Sequence, residues 1–329
     1  MFESPDSRPR LNCEVSTLGH ELSLVRDGVE FALEPEGSSP EDIQGFLKQL
    51  DGRRTVRDIQ QGLDTNQRQR FGSLLEDLER FRLLDDASTV ELRTGSQALL
   101  ELEDLANELM EKSINRNIFW THLLEDPVRC PKTAFYGLAI ENYHFLFRES
   151  LFDSPVLSYI PNTRVRQLMN EFYCSEYGHD EIIIKAMFAL GISRADVQDM
   201  MPLPETLALC NALSYWAASD PLFFFSTLGV LEGKDPEEDL FIAACKKAQL
   251  PAGFIKPMRD HSEINRKGEH GNLTRLLFAE IPVVDDETLA RMRRQMRLFV
   301  EMYDDFYTAI WNFYSPKTEA ELVRRLSAI

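Results

Sequence analysis

Two of the chain's six histidines, His261 and His270, fall in one short stretch, Pro257–Gly271, alongside Asp260, Glu263 and Glu269. Upstream, Glu141 and His144 stand three residues apart, and so do Glu176 and His179. Residues i and i+3 share a helix face, so each pair offers a carboxylate and an imidazole together. The neighbours of the first pair, Leu138, Ile140, Phe145 and Phe147, are apolar. A helix built from them is expected to be buried, and a buried carboxylate is costly unless it is paired or bound to a cation. Oxygen and imidazole donors together suit iron or manganese, and Glu-x-x-His helices build dinuclear carboxylate sites in helical bundles. A lone Glu-x-x-His is common by chance, and a satisfied core or surface pair is the competing reading. Glu232 strengthens the metal reading, because it ends an apolar stretch that carries no other charge from Pro221 onward. His261 and His270, nine residues apart, lie about 180° apart on an ideal helix. They can share a site only if Gly268 permits a bulge or break. Glu263 and His270, seven apart, do share a face.

These donors need helices to hold them, and the chain supplies the pattern. From Ser96 onward it reads as helical nearly throughout. Phe135–Leu151 carries the first pair. Val165–Leu190, closed by Gly191 in the C-cap role, carries the second. Pro221–Leu231 leads to Glu232, and Phe254–Phe278 spans His261 and His270. A final helix over Asp286–Tyr314 bears a Met and aromatic stripe that reads as packing. Ahead of the bundle the pattern differs. Residues 1–18 are polar with two prolines and read as a flexible lead-in. Apolar runs flank Asp27-Gly28, a β-hairpin signal. Three short helices follow, with Ser39 and Thr55 in N-cap positions. The expected fold class is therefore mainly α: a helical domain over 96–315, preceded by a small winged-helix-like α+β domain over 19–88 and followed by a tail over 316–329.

Composition narrows the function. A chain of 329 residues with 43% hydrophobic content can bury a large interior. The formal net charge of −18 repels phosphate backbones and anionic lipids, so neither nucleic acid nor membrane is an expected partner. No apolar run reaches the length of a membrane span. Five scattered cysteines without a CxxC pair fit a reduced, cytoplasmic setting and argue against sulfur-ligated zinc or iron–sulfur clusters.

Two resemblances sharpen the picture. The run Phe46-Leu47-Lys48-Gln49-Leu50-Asp51-Gly52-Arg53-Arg54-Thr55-Val56, followed by Leu74-Leu75-Glu76-Asp77-Leu78-Glu79-Arg80-Phe81-Arg82-Leu83-Leu84, resembles the PqqD-like peptide-recognition domain of enzymes that modify ribosomally made precursor peptides. The resemblance implies that a leader peptide adds a strand to the small sheet and rests on a helix. Residues around Val29, Phe31, Leu33, Leu74, Leu78 and Phe81 would then form the peptide surface. A regulatory or dimerising winged helix is the alternative.

Residues 96–314 resemble the heme-oxygenase-like superfamily, which includes thiaminase II, pyrroloquinoline quinone synthase and diiron oxidases. The resemblance rests on Glu141-x-x-His144, Glu176-Tyr177-Gly178-His179, Asp220-Pro221-Leu222, Leu228-Gly229-Val230-Leu231-Glu232-Gly233 and the His261–His270 stretch. It implies a heme-oxygenase-like bundle with Glu141, His144, Glu232, His261, Glu263 and His270 as candidate metal ligands. It also implies Glu176, His179, Asn265 and Lys267 as groups beside the substrate or behind the ligands. The family spaces its last ligands His-x3-Asp-x2-His. Here Asn265 and Gly268 follow His261 at those positions, so two iron ions are expected but one or none stays open. The implied function is an iron- and O2-dependent oxidase whose N-terminal domain holds the leader of a precursor peptide while a core residue is oxidised in the bundle. A homodimer is compatible with it. A metal-free oxidase resembling the quinone synthase and a non-catalytic peptide-delivery protein are the alternatives.

Overall fold

The computed structural model describes residues 2, 4–18, 21–26, 29–33, 40–88, 93–159, 161–231, 239–267 and 270–325. The chain divides into two compact units, Met1–Glu91 and Leu92–Ile329.

The first unit is α+β. Strands β1 (Pro9–Leu11), β2 (Glu14–Leu18), β3 (Glu21–Arg26) and β4 (Val29–Leu33) precede helices α1 (Pro40–Leu47), α2 (Val56–Gln61) and α3 (Thr65–Arg80), and β5 (Leu84–Asp86) closes it. The hairpin read from sequence is β3 against β4, antiparallel, with Leu24 opposite Phe31. Its Asp27-Gly28 turn lies outside the described residues, as does Ser39. Residues 9–11 and 14–18, read as part of a flexible lead-in, are strands instead. β2 pairs with β3, and β1 pairs with β5 in the register Leu11 to Leu84. The polar sequence hides them because their partners, not their own side chains, make them strands. Capping boxes start α2 at Thr55–Asp58 and α3 at Asp64–Gln67. Leu24, Phe46, Leu50, Phe71, Leu75 and Leu78 fill a separate small core.

The described elements of the second unit are helices apart from one bridge, Arg93 to Val284: α4 (Gly95–Lys112), α5 (Ile118–Glu125), α6 (Lys132–Leu146), α7 (Glu149–Asp153), α8 (Thr163–Glu176), α9 (Asp180–Phe188), α10 (Arg194–Asp199), α11 (Pro204–Ser219), α12 (Pro221–Leu231), α13 (Leu240–Lys247), α14 (Ala252–Lys267), α15 (His270–Ala279) and α16 (Asp286–Tyr314). Helix α6 runs through the interior, with every residue from Thr133 to Glu141 buried. The long α16 packs on α4, α5, α6 and α11, so it is the spine of the bundle. Its Met292, Met296, Phe299, Phe306 and Ile310 are in the core, as the stripe required. No described helix is long and apolar enough to cross a membrane.

Four elements of the bundle differ from the sequence reading. Residues 135–151 are two helices, α6 and α7, separated at Phe147 and Arg148. Residues 165–190 are two helices, because Gly178 adopts φ +93° and turns the chain between α8 and α9. Residues 254–278 are also two, α14 and α15. The segment after α16 packs on the bundle: Leu322 is buried, Arg324 donates to the Pro202 carbonyl, and its own carbonyl accepts from Met201.

Candidate metal centre

Glu141 is fully buried, and its carboxylate is surrounded by protein donors. One oxygen accepts from the Leu203 backbone N–H at 3.1 Å and from the Thr206 hydroxyl at 2.5 Å. The other accepts from the Tyr314 hydroxyl at 2.7 Å. Leu203 is the N-cap of α11 and offers no capping side chain of its own. Glu141 therefore caps α11 from another helix, where the exposed N–H groups and helix dipole favour a negative charge. One turn earlier, Gly137 makes room for Tyr314: a Cβ there would sit 2.4 Å from the ring. Burial pushes the Glu141 carboxyl up, opposed by these three hydrogen bonds and by Arg324. The metal-ligand expectation for Glu141 meets a carboxylate that already bridges α6, α11 and α16.

His144 lies one turn further along. Burial, and then Arg148 and Arg324, push its pKa down to about 3, so the ring is neutral. One guanidinium nitrogen of Arg148 donates to the His144 carbonyl at 2.8 Å and lies 3.3 Å from its Nδ1. A guanidinium is a donor only, so Nδ1 must accept and the ring proton sits on Nε2. Nε2 is buried without a hydrogen-bond partner. Nε2 is the ring atom left unengaged by protein, and a ligand role for His144 would run through it in its deprotonated form.

The second Glu-x-x-His makes a different arrangement. Helix α8 ends at Glu176, Tyr177 points outward with 85% exposure, and Gly178 reverses the chain so that His179 turns back inward. Glu176 Oε2 lies 2.7 Å from His179 Nδ1, and both side chains are buried. Helix α14 packs along α9 and sets the His261 ring against that of His179, edge to face, with centroids 5.0 Å apart. The structure thus assembles Glu176, His179 and His261 from three helical segments. Glu263, two residues on, is half-exposed and lies 3.6 Å from Arg259, on the charged face that also carries Lys256 and Asp260. Its expected place as a ligand is not supported by that outward position. Glu232 lies outside the described residues, and of Asn265, Lys267 and His270 only the backbone is described.

One carboxylate and two imidazoles are donors of the kind iron takes, so the cluster fits that metal in chemistry. Among the described residues no three His, Cys, Asp or Glu close into a metal-holding group.

Comparison with known proteins places this chemistry. The family model described as iron-containing redox enzyme matches residues 137–304, just over half of the chain. The chain belongs to this family. The matched span of this iron-containing redox enzyme begins on α6 and ends within α16, so it contains each candidate donor. A crystal structure of a domain of unknown function with a heme oxygenase-like fold from Shewanella denitrificans OS217 is similar at 17% identity with a TM-score of 0.54. The alignment covers 67% of this chain and 97% of that one, and it establishes the heme-oxygenase-like fold of the bundle. No curated protein matches the chain.

Sequence reasoning missed Tyr314, Thr206 and Arg148. Gly137, one turn before Glu141, was the available signal of something bulky lying across α6, and Arg148 stands four residues after His144 on the same face.

In the N-terminal unit, β4 is an outer strand of the β2-β3-β4 sheet. Val29 is 54% exposed and Phe81 49%, and Phe31 lies 5.5 Å from Phe81, ring to ring. Leu33 and Leu74 are half-buried against the small core. Leu78, expected at the peptide surface, is instead inside that core at 1% exposure, because it sits on the inward face of α3 with Phe71 and Leu75.

Proposed function

We propose that this iron-containing redox enzyme oxidises a residue of a ribosomally made peptide with O2, and that the N-terminal unit holds the leader of that peptide. The observation that carries the oxidase half is the buried Glu176–His179 pair with the half-buried His261 ring against it, in a bundle of this family. Glu176, His179 and His261 would hold iron, with Glu232 and His270 as the remaining donors. Iron bound there supplies the electron-transfer chemistry that reaction of O2 with a closed-shell organic substrate requires.

The chain's own residues have separable tasks. Glu176 Oε2 lies 2.7 Å from His179 Nδ1, so the carboxylate sets a negative charge beside that ring. The apolar side chains of α6 and α9 lower the local dielectric around buried Glu176 and His179, which strengthens charge interactions there. The Nε2–H of His144 offers a buried hydrogen-bond donor from α6. The N-terminal half of the proposal rests on the outer strand β4 beside Phe31 and Phe81, a surface suited to strand addition with an aromatic anchor. Tethering the leader there raises the local concentration of the residue to be oxidised.

The test is metal analysis of protein expressed with added iron, followed by O2 consumption with peptide. Wild type should hold iron, and Glu176→Gln and His261→Ala should lose most of it. Deleting residues 1–88 should leave iron content intact while abolishing turnover of a leader-bearing peptide. Full iron retention in both variants would sink the assignment of the centre. Unchanged peptide turnover after the deletion would sink the leader role. The engagement of Glu141 by Tyr314, Thr206 and Leu203 favours one other reading, a metal-free oxidase with His and Glu as acid and base. An iron-free wild type that is fully active would select it.

A further inference from the structure

Between α4, α12, α15 and α16 lies a cavity of about 170 Å³. Leu99, Leu102, Ala106, Met110, Val230 and Met296 form most of its wall. Ser226 and Thr274 also reach it, but both hydroxyls already donate to backbone carbonyls, of Phe223 at 2.6 Å and Phe225 at 3.1 Å. Glu103 stands at the margin with its carboxylate held by two Arg275 nitrogens, at 3.0 and 2.8 Å. Ser226, Thr274 and Glu103 are therefore engaged, and Asn107 is the remaining polar residue of the wall, so a charged guest would be desolvated there against a single neutral amide. Gly229 keeps the space between α12 and α15 open, since a Cβ at that position would approach the Thr274 hydroxyl to 3.3 Å. The volume suits one small ring: an apolar cavity of roughly 150 Å³ in another protein stays dry and binds benzene.

We infer that this cavity binds a neutral apolar group of about benzene size, and that the group belongs to the substrate; the second half rests on the oxidase reading above. The link to the centre is covalent continuity. Gly229 and Val230 line the cavity at the end of α12, and the chain reaches Glu232 two residues later. Thr274 lies one turn into α15 after His270. A group seated here would be held by α12, whose last residue precedes Glu232 in sequence, and by α15, which begins at His270. An aliphatic or aromatic side chain fits it, and a phosphate or a carboxylate, which would lose its hydration for a single amide, does not.

The test separates the cavity from the chemistry. Toluene is titrated onto the iron-free full-length chain and followed by NMR and thermal melting, with benzoate as the charged counterpart. Saturable toluene binding is expected, with benzoate at least tenfold weaker. Ala106→Leu should fill the space, weaken toluene at least tenfold and leave the melting temperature level or higher. If Ala106→Leu does not fold, Gly229→Ala, which adds one methyl group at the same wall, carries the comparison. Absence of saturable toluene binding, equal binding of benzoate, or undiminished binding in the filled variant overturns the site. In the iron-loaded enzyme, kcat/KM for the peptide should fall at least tenfold in Ala106→Leu. An unchanged kcat/KM in a variant that has lost toluene binding overturns the substrate assignment. An inactive wild type that still binds toluene refutes the oxidase reading, not the cavity.

Discussion

Glu141→Ala separates a structural carboxylate from a ligand. The substitution orphans the Leu203 N–H and the Tyr314 hydroxyl in a buried site, while Thr206 at the start of its helix can turn its hydroxyl elsewhere. Each orphaned group costs about 1–3 kcal/mol. Part of that is returned, because a carboxylate whose pKa is pushed up by burial no longer has to be held out of water. A net loss of about 2–5 kcal/mol follows, which for a domain of this size lowers the melting temperature by roughly 10 °C. Glu141→Gln keeps the shape and one acceptor oxygen, so its loss is smaller, about 1–2 kcal/mol. Iron content per folded chain should stay at the wild-type level in both. His261→Ala should do the reverse, with iron lost and the apoprotein melting temperature moved by less than in Glu141→Ala. The assay is thermal melting of the apoprotein beside metal analysis of the loaded protein. A Glu141→Gln variant that melts like wild type and has lost its iron would refute the reasoning and return Glu141 to the ligand set.

Three further outcomes follow from local geometry. Gly178→Ala forces a side chain to adopt φ +93° with no steric contact to blame, so backbone strain alone should cost about 1–3 kcal/mol, read by melting, and should reduce iron content by displacing His179. Among the cysteines, exposed Cys174 should react with a thiol reagent within minutes in native protein, whereas Cys130 and Cys210, pushed up by burial to about 11 and about 12, and buried Cys245, pushed up likewise, should react only on unfolding. Asp86 is held below the usual carboxylate range: burial pushes it up, but the Ser88 hydroxyl and the Arg8 and Ser88 backbone N–H groups outweigh that. A depressed folded pKa contributes stability that is complete above the unfolded value near pH 4 and lost as pH falls through the folded one. Protection of the Arg8 and Ser88 amides, measured against their intrinsic exchange rates, should therefore fall on acidification below about pH 4, and Asp86→Asn should flatten that dependence.

Much of the fold was legible because it is local. The α16 boundaries, Asp286–Tyr314, follow from a 3.6-residue apolar period that nothing interrupts. The β3–β4 hairpin follows from two apolar runs around one turn. β1 and β2 were not legible, since a polar segment becomes a strand when a distant partner offers its edge, as Leu84 does to Leu11. The break at Gly178 was hidden by apolar periodicity that continues across it, and only the positive φ reveals a turn.

For the candidate centre, the sequence by itself determined the inventory: two Glu-x-x-His pairs, two further histidines, and helices apolar enough to bury them. Spacing of i and i+3 guarantees that a Glu and a His share a face, but it does not say what that face meets. The tertiary structure decided that. Tyr314, 173 residues away, comes down over Gly137 and takes the Glu141 carboxylate into a helix cap. Helix α14, packed along α9, brings His261 to His179. The two motifs are alike in sequence and opposite in surroundings, because a buried carboxylate settles on whichever donors the packing brings to it.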